Sequence, residues 1–242
     1  MRTPLLALGR SLRELCFPTV CLLCRQRLPA FTAVHLCPDC LLRIRLIQPP
    51  LCHCCGVEFA GSGDNHYCGL CLAKPPHFSK ARAIFRYDDE SASLVHTFKY
   101  GGKTVARATF CALAKKVLPL ADLATPELII PVPLHRRRLR SRGFNQALVL
   151  ARFLFPKAGR RIVANLLVRT RWTDPQTALS GRERRQNLVG AFTVSKPERI
   201  VGQRILLIDD VYTTGTTLNE CARVLKKNGA AQVEALTLAR VK

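Results

Sequence analysis

The chain has 242 residues, enough for one ordinary domain and a smaller companion. Its hydrophobic fraction of 48% supports a packed core and excludes wholesale disorder. Its 38 basic against 16 acidic residues leave a formal net charge of +22, which favours polyanionic partners: nucleic acid, phosphorylated ligands or an anionic surface.

Met1–Leu15 carries a short apolar patch, Pro4–Leu8, interrupted at once by Arg10, Arg13 and Glu14. It reads as an amphipathic segment, not a signal peptide. No apolar stretch approaches the roughly 18 residues of a membrane span, so membrane insertion is not expected. The expectation is a cytoplasmic chain whose thiols stay reduced.

Ten of the 12 cysteines precede residue 72. Eight of them form four C-x-x-C knuckles: Cys21/Cys24, Cys37/Cys40, Cys52/Cys55 and Cys68/Cys71. The second four repeat the first four at a constant offset, which marks a tandem duplication. Each half is C-x2-C-x12-C-x2-C, a zinc spacing. Two knuckles complete a tetrahedral sulfur shell that selects Zn2+ over harder metals. All four positions are protein sulfurs, so two structural Zn2+ sites are expected, with metal supplying folding energy to a segment too short to bury much core. Pairing within each half is the reading taken here; cross-brace pairing between halves, a disulfide framework and an iron–sulfur cluster are the alternatives. Cys54 breaks the repeat and reads as a spare thiol, and Cys16 has no partner spacing. His53 and His66 read as bystanders, and Cys111 and Cys221 as core residues.

Lys74–His77 reads as the exit linker, dividing a double zinc-ribbon module (1–76) from the remainder (77–242). Strands are then expected at Ala81–Tyr87, Glu127–Val132, Ile162–Arg169, Ala191–Val194, Ile205–Ile208 and Val233–Leu238. Helices are expected at Ser91–Tyr100, Val105–Leu118, Phe144–Phe155 and Thr216–Asn228. This alternation predicts an α/β domain, a largely parallel sheet flanked by helices. Gly101–Thr104 (G-G-K-T) is a decoy: position 97, where a nucleotide-binding loop needs its first glycine, is Thr97.

The most informative stretch is I-L-L-I-D-D-V-Y-T-T-G-T-T at Ile205–Thr217. A buried strand leads into two carboxylates, a hydroxyl-rich turn and a helix. Free N–H groups at a helix start attract phosphate, and Gly215 permits close backbone approach. Thr213, Thr214, Thr216 and Thr217 are expected to donate to phosphate oxygens while capping the helix. Asp209 and Asp210 are acceptors suited to vicinal ribose hydroxyls or Mg2+, at the strand end where open α/β sheets bind ligands.

Those thirteen residues are similar to the phosphoribosyl pyrophosphate (PRPP) signature of type I phosphoribosyltransferases. The resemblance implies that the acidic pair contacts ribose and the threonine turn holds the 5-phosphate. The four knuckles, P-V-P-L-H-R-R-R-L-R-S-R-G-F-N-Q at Pro131–Gln146, and Arg169, Gln176, Leu179–Ser180, Arg184–Asn187 and Ala191–Phe192 resemble the ComF/GntX family. That resemblance spans nearly the whole chain. It implies PRPP with Mg2+ as ligand, competence or DNA-uptake proteins as associates, or a gluconate-utilisation role.

Arg136, Arg137, Arg138, Arg140 and Arg142 fill the connection Pro133–Gly143, placed to embrace pyrophosphate with fork-shaped guanidinium contacts. Asn145 and Gln146 open the next helix as further hydrogen-bonding groups. His135–Arg185 holds 14 Lys/Arg against 2 Asp/Glu. That excess is more than one pyrophosphate needs, so single-stranded DNA is a further expected partner, with Trp172 and Phe144 as stacking surfaces. The resemblance implies that Arg169–Asn187 supplies a mobile loop closing over the site, and Pro175, Gly181 and the polar composition agree with mobility. Three functions follow: an active phosphoribosyltransferase, a non-catalytic PRPP-sensing adaptor that binds single-stranded DNA, or a zinc-ribbon nucleic-acid module attached to a degenerate enzyme.

Overall fold

The computed structural model describes residues 18–29, 32, 34–101, 104–116, 122–172 and 188–242. The expectations for Met1–Leu15, Cys16, Lys103 and the interval from Pro175 to Asn187 lie outside the described residues.

Four parallel strands form the sheet: β1 (Lys80–Arg86), β2 (Leu128–Pro131), β5 (Arg204–Tyr212) and β6 (Gln232–Arg240), in the order β1-β6-β5-β2. Strands this apolar are buried on both faces, as parallel pairing requires. Helices α1 (Pro38–Arg43) and α2 (Gly69–Ala73) start within the second knuckle of each cysteine repeat and carry its last cysteine, Cys40 and Cys71. Between β1 and β2 run α3 (Asp89–Gly101) and α4 (Thr104–Ala114), and after β2 come α5 (Arg136–Arg142) and α6 (Gln146–Leu154). Helix α7 (Thr216–Lys227) joins β5 to β6.

The core has two layers. On one face Ile205 and Leu207 meet Leu218, Cys221, Ala222 and Leu225 of α7. On the other, Leu206 and Ile208 meet Phe110 and Leu113 of α4 and Leu150 and Ala151 of α6. Each layer also takes in cysteines of one repeat: Cys52, Cys55 and Cys71 lie in the α7 layer, and Cys21, Cys37 and Cys40 in the α4–α6 layer. The two halves of the duplication therefore clasp opposite faces of the sheet.

Two segments differ from the sequence expectation. Ile162–Arg169 is not one strand. A turn at Ala164–Asn165 breaks it, leaving Ile162 a single bridge to Ile129 and β3 (Leu167–Arg169) paired antiparallel to β4 (Phe192–Val194) outside the main sheet. Pro133–Gly143 is not loop throughout, because α5 occupies its second half. His135 caps α5 by accepting from the Arg137 N–H at 3.3 Å, and Gly143 ends it in the left-handed region at φ 77°. Arginine and leucine are good helix formers, so only the caps were needed to fix it.

The second ribbon is fastened to β1 through its own backbone. Ala81 donates to the Cys54 carbonyl at 2.6 Å. The buried Arg82 donates to the Cys52 carbonyl at 3.4 Å and to both oxygens of Asp122 at 3.1 and 2.6 Å. Gly56 makes this approach possible. Its φ is 69°, and a Cβ there would stand 2.4 Å from the Ala81 carbonyl oxygen, a backbone atom that cannot step aside. Gly56→Ala is expected to destabilise the chain by at least about 2 kcal/mol, a fall in Tm of roughly 4–8 °C for a domain of this size. An unchanged calorimetric melting profile would show that the contact does not hold the ribbon.

Candidate phosphate-binding site and metal centres

In β5 side chains alternate between the two layers until the acidic pair, and there the alternation changes phase. Ile205 and Leu207 belong to one layer and Leu206 and Ile208 to the other, yet Val211 packs with the second and Tyr212 with the first. Asp209 and Asp210 occupy the switch and are both half-buried, neither one inside a layer. Their carboxylates accept from the next backbone N–H, Asp209 from Asp210 at 2.9 Å and Asp210 from Val211 at 2.7 Å. Carboxylates are acceptors, the chemistry that vicinal hydroxyls require.

Thr213 and Thr214 then form an exposed bend and Gly215 is the N-cap of α7. The expected threonine caps are not made. Among the described residues no side chain caps α7, and the Thr214 and Thr216 hydroxyls bond each other at 2.7 Å. The reason lies in Gly215, which has no side chain to cap with and adopts φ 72°. The first-turn N–H groups are thus left for an external acceptor, the arrangement that binds phosphate.

Tyr212 fixes the bend from beneath. A Cβ on Gly215 would lie 2.3 Å from the Tyr212 hydroxyl and 2.5 Å from Cζ. Tyr212 itself stands edge-on to Phe78 and below the Arg240 guanidinium, 4.0 Å from ring centre to Cζ. Burial pushes its phenol up to about 12, against the pull of Arg240. It is neutral at physiological pH.

The basic segment faces the same end of the sheet. Val132 extends β2 by donating to Ile208, and Asn145 donates to the Val132 carbonyl at 3.1 Å. Asn145 also caps α6, accepting from Ala147 at 2.9 Å. Its amide therefore ties the start of α6 to the end of β2. Gln146 is buried, and its Nε2 is one of three buried side-chain nitrogens or oxygens without a partner among the described residues. Of the five arginines on α5, Arg136, Arg137 and Arg140 are exposed and Arg138 and Arg142 half-buried. Arg137 lies over Trp172 at 5.6 Å, and His135 meets the same ring edge-on at 5.2 Å. Arg169, at the end of β3, stacks on Phe192 at 5.6 Å. Burial lowers its proton affinity, and Arg138 lowers it further, while Cys221 and Asp209 oppose them. Arg169 thus feels the charges of both Arg138 and Asp209. Sequence reading missed Tyr212 and Arg240 as site residues. Tyr212 stood inside the motif, but Arg240 lies in the next strand and carried no local signal.

The cysteines assemble as two separate sets, Cys21, Cys24, Cys37 and Cys40, and Cys52, Cys55, Cys68 and Cys71, with all sulfurs of a set within 4.8 Å of one another. Pairing is therefore within repeats, not crossed between them. Tetrahedral zinc with bonds of about 2.3 Å sets sulfurs about 3.8 Å apart. Cys24 and Cys37 stand at 3.6 Å and Cys55 and Cys68 at 3.8 Å. Equivalent backbone N–H groups, of Cys37 and Cys68, point at Cys21 and Cys52 at 3.4 and 3.3 Å. Burial raises these two thiols, but the N–H bonds outweigh it and hold each at about 6, favouring the thiolate a metal needs. Cys54 is not a ligand. It is buried, with its thiol toward the Phe78 carbonyl at 3.7 Å. Cys221 is core, and Cys111 is half-buried with its thiol on the Phe153 carbonyl at 3.0 Å.

Gly215→Ala is expected to cost at least about 2 kcal/mol through the left-handed φ and the ring contact together. A double-mutant cycle with Tyr212→Ala, followed by chemical denaturation, is expected to be less than additive. Strict additivity would show that the ring does not limit the turn.

Residues 144–242 match the phosphoribosyl transferase domain family and residues 12–72 the double zinc ribbon domain. The chain is 36% identical over 229 residues to competence protein F of Haemophilus influenzae, covering 91% of this chain and 96% of that one. It is 34% identical over 227 residues to the DNA utilization protein YhgH of Salmonella typhimurium, covering 92% and 97%. It is 31% identical over 226 residues to competence protein ComFC of Bacillus subtilis, covering 91% and 84%. Matched at this level along most of its length, the chain belongs to the ComF/GntX family of phosphoribosyltransferase-domain proteins with an N-terminal double zinc ribbon.

Proposed function

We propose that this protein binds PRPP with Mg2+ at the β5–α7 turn and serves in the handling of DNA taken up by the cell. The observation that carries the reading is the uncapped, glycine-led start of α7 directly after a half-buried acidic pair. The 5-phosphate takes the N–H groups and hydroxyls of 213–217, and Asp209 and Asp210 accept from the ribose 2- and 3-hydroxyls. When bound with PRPP, Mg2+ would supply counter-charge to the pyrophosphate. Arg136, Arg137, Arg138, Arg140 and Arg142 lie on the side where that group would extend, with the Gln146 amide as a further donor. In a transferase reaction the C1–O bond breaks, pyrophosphate leaves with the electron pair, and a nitrogen nucleophile takes its place at C1. The acidic pair then stabilises the developing positive charge on the sugar.

The role in DNA handling is supported by the names of the relatives and by the exposed arginines of α5. One PRPP needs fewer cations than this segment offers. The remainder suits a single-stranded phosphate backbone, with Trp172 beside Arg137 as a stacking surface. A non-catalytic PRPP sensor that binds single-stranded DNA fits the same groups. Pyrophosphate release in a screen of bases, amines and oligonucleotides separates it from a transferase.

Replacing Asp209 and Asp210 together by Ala is expected to abolish PRPP binding in calorimetric titration while circular dichroism stays unchanged. Affinity equal to that of the unaltered chain would rule the site out. Binding to single-stranded DNA is expected to weaken steeply with salt, and substituting Arg137, Arg138 and Arg140 is expected to reduce the slope by about two to three. A salt-independent affinity would contradict a backbone-binding role.

A further inference from the structure

The second cysteine set and the phosphate turn are joined by one side chain. Arg240 ends β6, directly beside Tyr212 in the parallel register of β5 and β6. From there its guanidinium reaches two ways. It donates to the Cys55 carbonyl at 2.8 Å and to the Cys55 sulfur at 3.5 Å. Its plane also covers the Tyr212 ring at 4.0 Å. The third guanidinium nitrogen, Nε, is buried without a hydrogen-bond partner among the described residues. Beneath it the ring presses on the turn, since no atom larger than hydrogen fits between Gly215 and the Tyr212 hydroxyl.

We propose that Arg240 is a positioning residue that couples the second zinc site to the phosphate turn, so that metal on the Cys55 set and PRPP on residues 213–217 stabilise one another. The inference rests on the PRPP reading given above and adds to it a link that reading does not need. Its physical basis is the polarity of the sulfur. When Cys55 is a metal-bound thiolate, a guanidinium donor is attracted to it and oriented by it, as outer-shell donors are at metal sites. When the metal leaves, the four sulfurs are freed from a common centre. Arg240 then loses both the anionic acceptor and the fixed Cys55 carbonyl. The ring it covers loses its lid, and the N–H groups at Gly215 lose their support. By linkage the effect runs equally in reverse: phosphate that fixes the turn fixes Tyr212, Arg240 and Cys55. The first site is a built-in control. Cys24, the counterpart of Cys55 in the duplication, is exposed, whereas Cys55 is buried.

The test uses the full-length, zinc-loaded protein. Cysteine alkylation in the presence of a chelator, read peptide by peptide by mass spectrometry, follows metal loss from each set separately. Mg2+–PRPP is expected to slow alkylation of Cys52, Cys55, Cys68 and Cys71 about tenfold and leave the first set unchanged, a coupling within the usual range. In Arg240→Met the protection is expected to vanish and PRPP affinity in calorimetry to fall about tenfold. Arg240→Lys, which keeps the charge but not the fork, is expected to lie between and carries the comparison if the methionine variant does not fold. Protection that persists in both variants, or PRPP affinity unaltered by either, overturns the coupling and leaves the PRPP site standing. Failure of the unaltered protein to bind PRPP, seen in the same titrations, sinks the PRPP reading and this inference with it.

Discussion

The turn between β5 and α7 exists only because residue 215 has no side chain. Its left-handed φ of 72° and the Tyr212 hydroxyl beneath it leave room for a hydrogen and nothing larger. That single close approach fixes the direction in which α7 leaves the sheet. It also leaves the first-turn N–H groups without a side-chain cap, and it sets the bend immediately after the acidic pair. The rest of the site is arranged around it. Asp209 and Asp210 lie where β5 changes phase between the two core layers, which keeps both carboxylates half-buried at the strand end. The arginines of α5 and the Gln146 amide face the same end of the sheet because Asn145 ties the start of α6 to the end of β2.

The cysteine duplication has a role beyond its own metal sites. A pair of short ribbons has little core of its own, and zinc supplies what burial cannot. Here each ribbon also contributes sulfur-bearing residues to one face of the sheet, so the α/β core is completed by the module that precedes it. The two halves are alike in sequence spacing and in knuckle geometry, including the N–H contacts to Cys21 and Cys52. They differ in surroundings. The second half meets β1, Arg82 and Arg240, and so it touches the strand end where the Gly215 turn begins.

Much of this was legible before the structure. The offset repeat and the C-x2-C spacing revealed both metal sites, because thiolate geometry demands knuckles at fixed intervals. The strand, acid pair and threonine turn of Ile205–Thr217 were legible because strand period, charge and helix-start chemistry all fall within thirteen consecutive residues. What was hidden is non-local or cap-dependent. Helix α5 depends on His135 and Gly143 closing its two ends, and an arginine run alone suggested loop. The threonines were expected to cap α7, yet the N-cap position is a glycine, which has no side chain to cap with. Asn145, expected as a hydrogen-bonding group of the site, also serves as a cap and brace, which its sequence position did not reveal. Arg240 gave no sign at all, since only the register of β5 and β6 brings it beside Tyr212.

The central claim is that the start of α7 and the acidic pair before it form one cradle for a phosphorylated ribose. The most direct measurement is a crystal structure of the protein grown with PRPP and Mg2+. The account predicts the 5-phosphate on the N–H groups of the first turn of α7, with the ribose hydroxyls on Asp209 and Asp210. A phosphate held only by the α5 arginines, with the turn at Gly215 empty and the two carboxylates in contact with water alone, would contradict it.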